Sequence, residues 1–100
     1  MAKAKPESKF QASVIKKIQE RYPGCIVVKN DPGYLQGFPD FTVFYNNVWV
    51  ALEFKKSENA AHQPNQDYYV RKCEEMSHGY FIYPENEQEV MNEIQQAFGA

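Results

Sequence analysis

One hundred residues, 43% hydrophobic and 15% aromatic, allow one domain with one core (residues 1–100) and no second. A formal net charge of −2 argues against a general nucleic-acid binder. No apolar run approaches the ~18 residues a membrane span needs.

The opening Met1-Ala2-Lys3-Ala4-Lys5-Pro6 lacks the apolar stretch of a secretory signal. Cys25 and Cys73 stand in apolar settings without C-x-x-C spacing, so they read as reduced structural thiols of a cytoplasmic protein. Charge is uneven along the chain. Residues 1–56 hold nine Lys/Arg against five Asp/Glu, and residues 57–100 hold two against eight, so one basic face is available to phosphates. Solvated helix faces would give the same asymmetry.

A first helix is predicted from Pro6 to Tyr22, opened by proline at a favoured first position and closed by Pro23-Gly24. Phe10, Val14, Ile15, Ile18 and Tyr22 follow helical spacing away from Lys9, Lys16, Lys17 and Glu20. Cys25–Val28 reads as a short strand, followed by a loop through Asp31-Pro32-Gly33 to Gly37. Phe41–Tyr45 and Val48–Phe54 read as strands flanking Asn46-Asn47, a two-residue turn in which asparagine tolerates positive φ. Pro64 opens a second helix running to about His78, with Gly79 ending it, and Tyr80–Tyr83 forms a last strand. Asn86 with Glu89 resembles a capping box for a final helix striped by Val90, Met91, Ile94 and Phe98. The order αβββαβα implies an α/β sandwich, with helices packed on a central sheet.

Chemistry is expected where polar residues interrupt these patterns. In the third strand, Val48, Val50, Leu52 and Phe54 share one face, while Trp49, Ala51, Glu53 and Lys55 share the other. Glu53 and Lys55 thus project side by side from a strand apolar on both faces up to that point, and buried charge is costly unless paired or metal-bound. With Asn46-Asn47 as the turn, paired residue numbers sum to 93 and Asp40 falls opposite Glu53. Like charges so placed destabilise a sheet and call for a proton or cation between them. A hard oxygen site of this kind suits Mg²⁺; two solvated acids with Lys55 as salt-bridge partner are the plainer alternative.

Glu7 lies on the stripe of Gln11, Val14 and Ile18, and Gln66 on that of Tyr69, Val70, Cys73 and Met76. Both therefore point toward a site between sheet and helices, although a first-turn dipole role for Glu7 and local capping near Pro64 for Gln66 fit as well.

Gly37-Phe38-Pro39-Asp40, then Glu53-Phe54-Lys55 after a hairpin, then Gln66 on the next helix, resemble the PD-(D/E)XK nuclease superfamily. Within it the chain looks most like the VRR-NUC branch, including small phage and bacterial proteins related to Holliday junction resolvases, and Glu7-Ser8-Lys9-Phe10-Gln11 is similar to that branch's first-helix glutamate segment. The resemblance implies a restriction-endonuclease-like αβββαβ core, a mixed sheet flanked by helices, with an extra C-terminal helix. It implies that Asp40, Glu53 and the Phe54 carbonyl bind Mg²⁺ (Mn²⁺ as substitute), with Glu7 binding directly or through water. Lys55 would activate water or offset phosphate charge, and Gln66 would position Lys55 or the phosphate. The expected activity is DNA phosphodiester hydrolysis by a homodimer acting on branched DNA such as four-way junctions, in a bacterial or phage-infected cell. Nicking, restriction-like or single-strand cleavage is one alternative, and a non-catalytic DNA-binding module of the same fold is another.

Lys9, Lys16, Lys17, Lys29 and Lys56 are candidates for phosphate contacts. Tyr34, between Gly33 and Gly37, is either a substrate contact or part of the route into the second strand. His62 reads as exposed, and His78 as a structural residue in the last turn of its helix.

Overall fold

In the computed structural model, which describes residues 6–99, the elements follow in this order: α1 (Pro6–Arg21), β1 (Ile26–Lys29), β2 (Phe41–Tyr45), β3 (Val48–Phe54), α2 (Gln66–Met76), β4 (His78–Ile82), a 3-10 turn Pro84–Asn86, and α3 (Glu87–Phe98). This is the order the sequence implies. The non-secretory reading of the opening segment falls mainly on residues 1–5, outside the described residues.

The sheet runs β1-β2-β3-β4, antiparallel across its first three strands, with β4 parallel to β3. Asn46 takes φ 56° at the β2–β3 turn, and Tyr45 pairs with Val48 through to Phe41 with Leu52. A two-residue turn with a left-handed asparagine thus sets the register of the hairpin. Val50, Leu52 and Phe54 enter a core with Val14, Ile18 and Tyr22 of α1, Ile82 of β4, and Val90, Met91, Ile94 and Phe98 of α3. Helix α2 packs on β3 and β4, burying Val70 and Cys73. The layers are α1 and α3, sheet, then α2.

Several local expectations need correction. The second helix begins at Gln66 and stops at Met76, and His78 is not in its last turn but is the first residue of β4. Ser77 turns the chain: its N–H donates to Cys73 O at 2.8 Å, and its hydroxyl donates to Trp49 O at 2.6 Å. Met76 is consequently exposed at the helix end rather than buried on its stripe. Gly79 does not end a helix; it lies in β4 because α2 crosses it too closely for a side chain, a Cβ there falling 2.4 Å from Val70 O. Asn86 does not form the expected capping box, since its side chain accepts from Tyr83 N–H at 2.9 Å and donates to Phe81 O at 3.0 Å. The first strand also sits one residue later than expected, at Ile26–Lys29.

Because the atom opposing Gly79 is backbone, it cannot swing aside. Gly79→Ala should therefore lift α2 from β4 and lower stability by roughly 1–3 kcal/mol, as overpacking does, measured as a drop in thermal midpoint.

Candidate active site

Asp40 lies just before β2, where the β2–β3 ladder runs out of backbone partners. Its Oδ2 accepts the Phe54 N–H at 2.8 Å, so the carboxylate caps a strand donor and is held at the β3 end. Asn30, immediately after β1, braces the same corner. Its backbone N–H donates to Asp40 O at 2.8 Å, and its side-chain amide donates to Pro39 O at 2.9 Å and Thr42 Oγ1 at 3.0 Å. Gly37 allows the approach into this corner, with φ 89° and no room for a Cβ, which would fall 2.4 Å from Asn65 Cβ.

Glu53 and Lys55 are buried on the α2 face of β3, at 3% and 7% exposure. Gln66, the first residue of α2, joins them. Its Nε2 donates to Glu53 Oε2 at 2.9 Å, while its Oε1 accepts from Lys55 Nζ at 2.5 Å and from Gln63 N–H at 2.9 Å. Lys55 Nζ also donates to Ala61 O at 3.1 Å. Gln66 makes these contacts from the helix N-terminus, so the amide spans the acid and the ammonium rather than serving only as a local cap.

The carboxyl groups strain against their surroundings. Burial raises the Glu53 pKa to about 8, the negative charge of Asp40 adds to the rise, Lys55 opposes it, and Glu7 adds a smaller upward contribution. Asp40 is also raised, mainly by burial, against the lowering effects of the Phe54 N–H, Lys55, the Glu53 carboxyl and Lys29. Among the described residues no salt bridge joins Lys55 to either acid. Two facing carboxyls at low exposure therefore share their protons as a unit unless a cation joins them.

Asp40, Glu53, Lys55 and Gln66 thus converge, with Phe54 between them in register. Glu7, half-buried in the first turn of α1, is felt electrostatically by Glu53. No group of three or more His, Cys, Asp or Glu residues is drawn together closely enough to hold a metal among the described residues, so Glu7 stands apart from a preassembled ligand set. Of the lysines, Lys29 acts on Asp40, Lys9, Lys16 and Lys56 are exposed, and Lys17 pairs with Glu87 at 2.6 Å. That pairing leaves Lys17 less available to a phosphate than expected.

His62 is exposed, as its sequence setting implies, yet it also has partners. It stacks on Phe81 at 4.2 Å and its Nδ1 lies 2.7 Å from Asp67 Oδ1, beside the Ala61 carbonyl that holds Lys55. An acid five residues on, in a loop entering a helix, was the available signal. Asn30 had none, since no short turn sets its register against Asp40.

No family model and no curated protein matches the sequence. Two solved structures match its fold. A VRR_NUC domain superposes with a TM-score of 0.65 at 23% identity, covering 89% of this chain and 97% of its own. A VRR_NUC domain protein superposes with a TM-score of 0.67 at 15% identity, covering 98% and 92%. The chain has the VRR_NUC fold, as the resemblance implied. No helix among the described residues is long and apolar enough to cross a membrane.

Proposed function

We propose that this chain is a metal-dependent DNA endonuclease of the PD-(D/E)XK type. The observation that carries the reading is the buried Glu53 carboxyl facing Asp40, with Lys55 held beside them by Gln66 rather than paired with either acid. Two carboxyls without a direct ammonium partner form a hard oxygen donor set, which fits Mg²⁺ or Mn²⁺. Asp40 and Glu53 would hold the ion, with the Phe54 carbonyl and Glu7 as further ligands, Glu7 directly or through water. When bound, such an ion lowers the pKa of a water and offsets charge on the scissile phosphate.

Lys55 supplies the remaining positive charge. An ammonium has three donors, and Gln66 and Ala61 take two. The third is left for the attacking water or a phosphate oxygen. Gln66 acts through Lys55 and Glu53 as a positioning residue, fixing the distance between acid and ammonium. Lys29, beside Asp40, offers a backbone phosphate contact, with Lys9, Lys16 and Lys56 more peripheral.

The substrate we favour is branched DNA, including four-way junctions, cut by a homodimer. One site hydrolyses one strand, and two cuts related by a two-fold axis require two sites, which an isologous dimer supplies. A chain of net charge −2 should bind plain duplex weakly, whereas two subunits on one branched ligand gain through effective concentration. The test compares cleavage of matched junction, flap, single-stranded and duplex DNA in Mg²⁺, Mn²⁺ or excess chelator, with light scattering for mass. Junction cleavage by a dimer that stops in chelator is expected. Full activity in chelator would end the metal reading, and a monomer cutting all substrates equally would end the junction reading.

A further inference from the structure

Among the described residues, the sheet face that carries Asp40 and Glu53 is only half covered. Helix α2 packs on β3 and β4. On the same face, the β1–β2 half bears Ile26, Val28 and Phe44, which are 61%, 40% and 42% exposed. The pairing of Val28 with Thr42, together with the Asn30–Asp40 hydrogen bond, aligns this apolar strip with the site carboxylate.

Above the strip, the loop between β1 and β2 closes a groove of about 460 Å³. Val28, Leu35 and Phe38 supply apolar walls, Lys29 and Asn30 stand at the Asp40 end, and Tyr34 is 90% exposed. Phe38 is held edge-on by Tyr69 at 5.8 Å. Asp31 is the one acid in the lining, and its Oδ1 accepts the Gly33 N–H at 2.8 Å. Phe38 is two residues from Asp40, a span of ~7 Å at most, within reach of a single nucleotide.

Resting on the nuclease reading, we propose that this groove takes one unpaired nucleobase of the strand whose phosphate lies at Asp40 and Glu53, with Tyr34 as its stacking platform. An exposed aromatic beside an apolar slot and a lysine is the combination that holds single-stranded nucleic acid: the ring takes the base face and the ammonium takes the backbone. A paired base cannot enter without leaving its stack. The groove therefore selects DNA whose bases are already unpaired next to the cut, as they are at a branch point, a flap or a single strand. The tyrosine gains nothing from the fold by its exposure, and continuity of the strip with Asp40 ties its occupant to the substrate.

The experiment uses the wild-type chain, Tyr34→Ala and Tyr34→Phe in Mg²⁺, with matched duplex and the same duplex carrying an unpaired 2-aminopurine beside the cut. At 90% exposure Tyr34 supports no packing, so both variants should fold. Wild type should have the lower KM for the unpaired substrate and quench the 2-aminopurine. Tyr34→Ala should raise that KM roughly tenfold or more, leave kcat and the duplex KM within about twofold, and lose the quench. Tyr34→Phe, which keeps the ring, should restore both. Quenching that depends on Tyr34 without cleavage of any DNA would uphold the groove and overturn the nuclease reading. Cleavage with an unchanged ratio of the two KM values in Tyr34→Ala would overturn the groove alone. A Tyr34→Ala protein that changes mass in light scattering would mark the strip as a contact between copies of this chain and overturn the proposal.

Discussion

Asp40→Asn and Glu53→Gln should each reduce DNA cleavage by roughly 10³-fold or more, while leaving the secondary structure intact. Several kcal/mol of charge stabilisation are at stake in a metal-assisted displacement, and each 1.36 kcal/mol is a factor of ten in rate. The fold should survive because neither amide opens a cavity or strands a partner. Glutamine at 53 keeps an oxygen for Gln66 Nε2 to donate to. Asparagine at 40 keeps an oxygen for the Phe54 N–H. What each substitution removes is one of two facing carboxyls that can ionise onto a cation, and with it the affinity for a dication. Circular dichroism and cleavage of a labelled junction separate the outcomes: a folded variant that cuts at the wild-type rate sinks the assignment, whereas a lost dichroism signal makes the residue structural. Lys55→Ala should also abolish cleavage in the same assay, but it would leave the Ala61 carbonyl without this donor and Gln66 Oε1 with the Gln63 N–H alone and so is a less clean test.

The parts of the site that sequence made legible are those governed by short-range geometry. Asn46 and Asn47 define a turn with one plausible register, and alternation along Val48–Phe54 then assigns every side chain to a face. Together these place Asp40 across from Glu53 from the sequence alone. Gln66 was legible for a similar reason, as a polar residue on an otherwise apolar helical stripe. The loop from Asn30 to Asp40 has no such rule. Its length leaves the β1–β2 register open, so the bracing of Asp40 by Asn30 had no one-dimensional trace, and Tyr34 stood out only as an aromatic between glycines, with no groove to set it over. Gly79 misled for a different reason. Glycine ends helices often enough to read as a stop, yet here it marks a close crossing between α2 and β4, a tertiary fact that local patterning does not carry. His62 lies in a polar loop, and only folding brings Phe81 beneath its ring.

The raised Glu53 pKa makes stability depend on pH in a direction opposite to the usual carboxylate. An ordinary salt-bridged acid binds its proton less tightly when folded, and its protein gains stability as pH rises. Glu53 binds its proton more tightly when folded, with a pKa of about 8 against 4.5 for the free side chain, chiefly because burial disfavours the charge and then because Asp40 repels it. Between these two values the folded state carries a proton that the unfolded chain has lost. The slope of unfolding free energy with pH is therefore negative. In excess chelator the protein should be most stable near the lower end of this window, and should lose ~2–4 kcal/mol by its upper end, on the order of 10 °C in Tm for a chain of this size. Glu53→Gln should flatten most of the slope, since its neutral amide has nothing to titrate. Mg²⁺ should return the lost stability above neutral pH by binding only the folded state, and should do little for Glu53→Gln. Thermal melts at pH 5 to 9, with chelator and with Mg²⁺, decide it. A wild-type Tm that holds level or rises with pH in chelator would mean the acids are solvated and apart; a slope that Mg²⁺ fails to reverse would keep the facing carboxyls but remove the metal from between them.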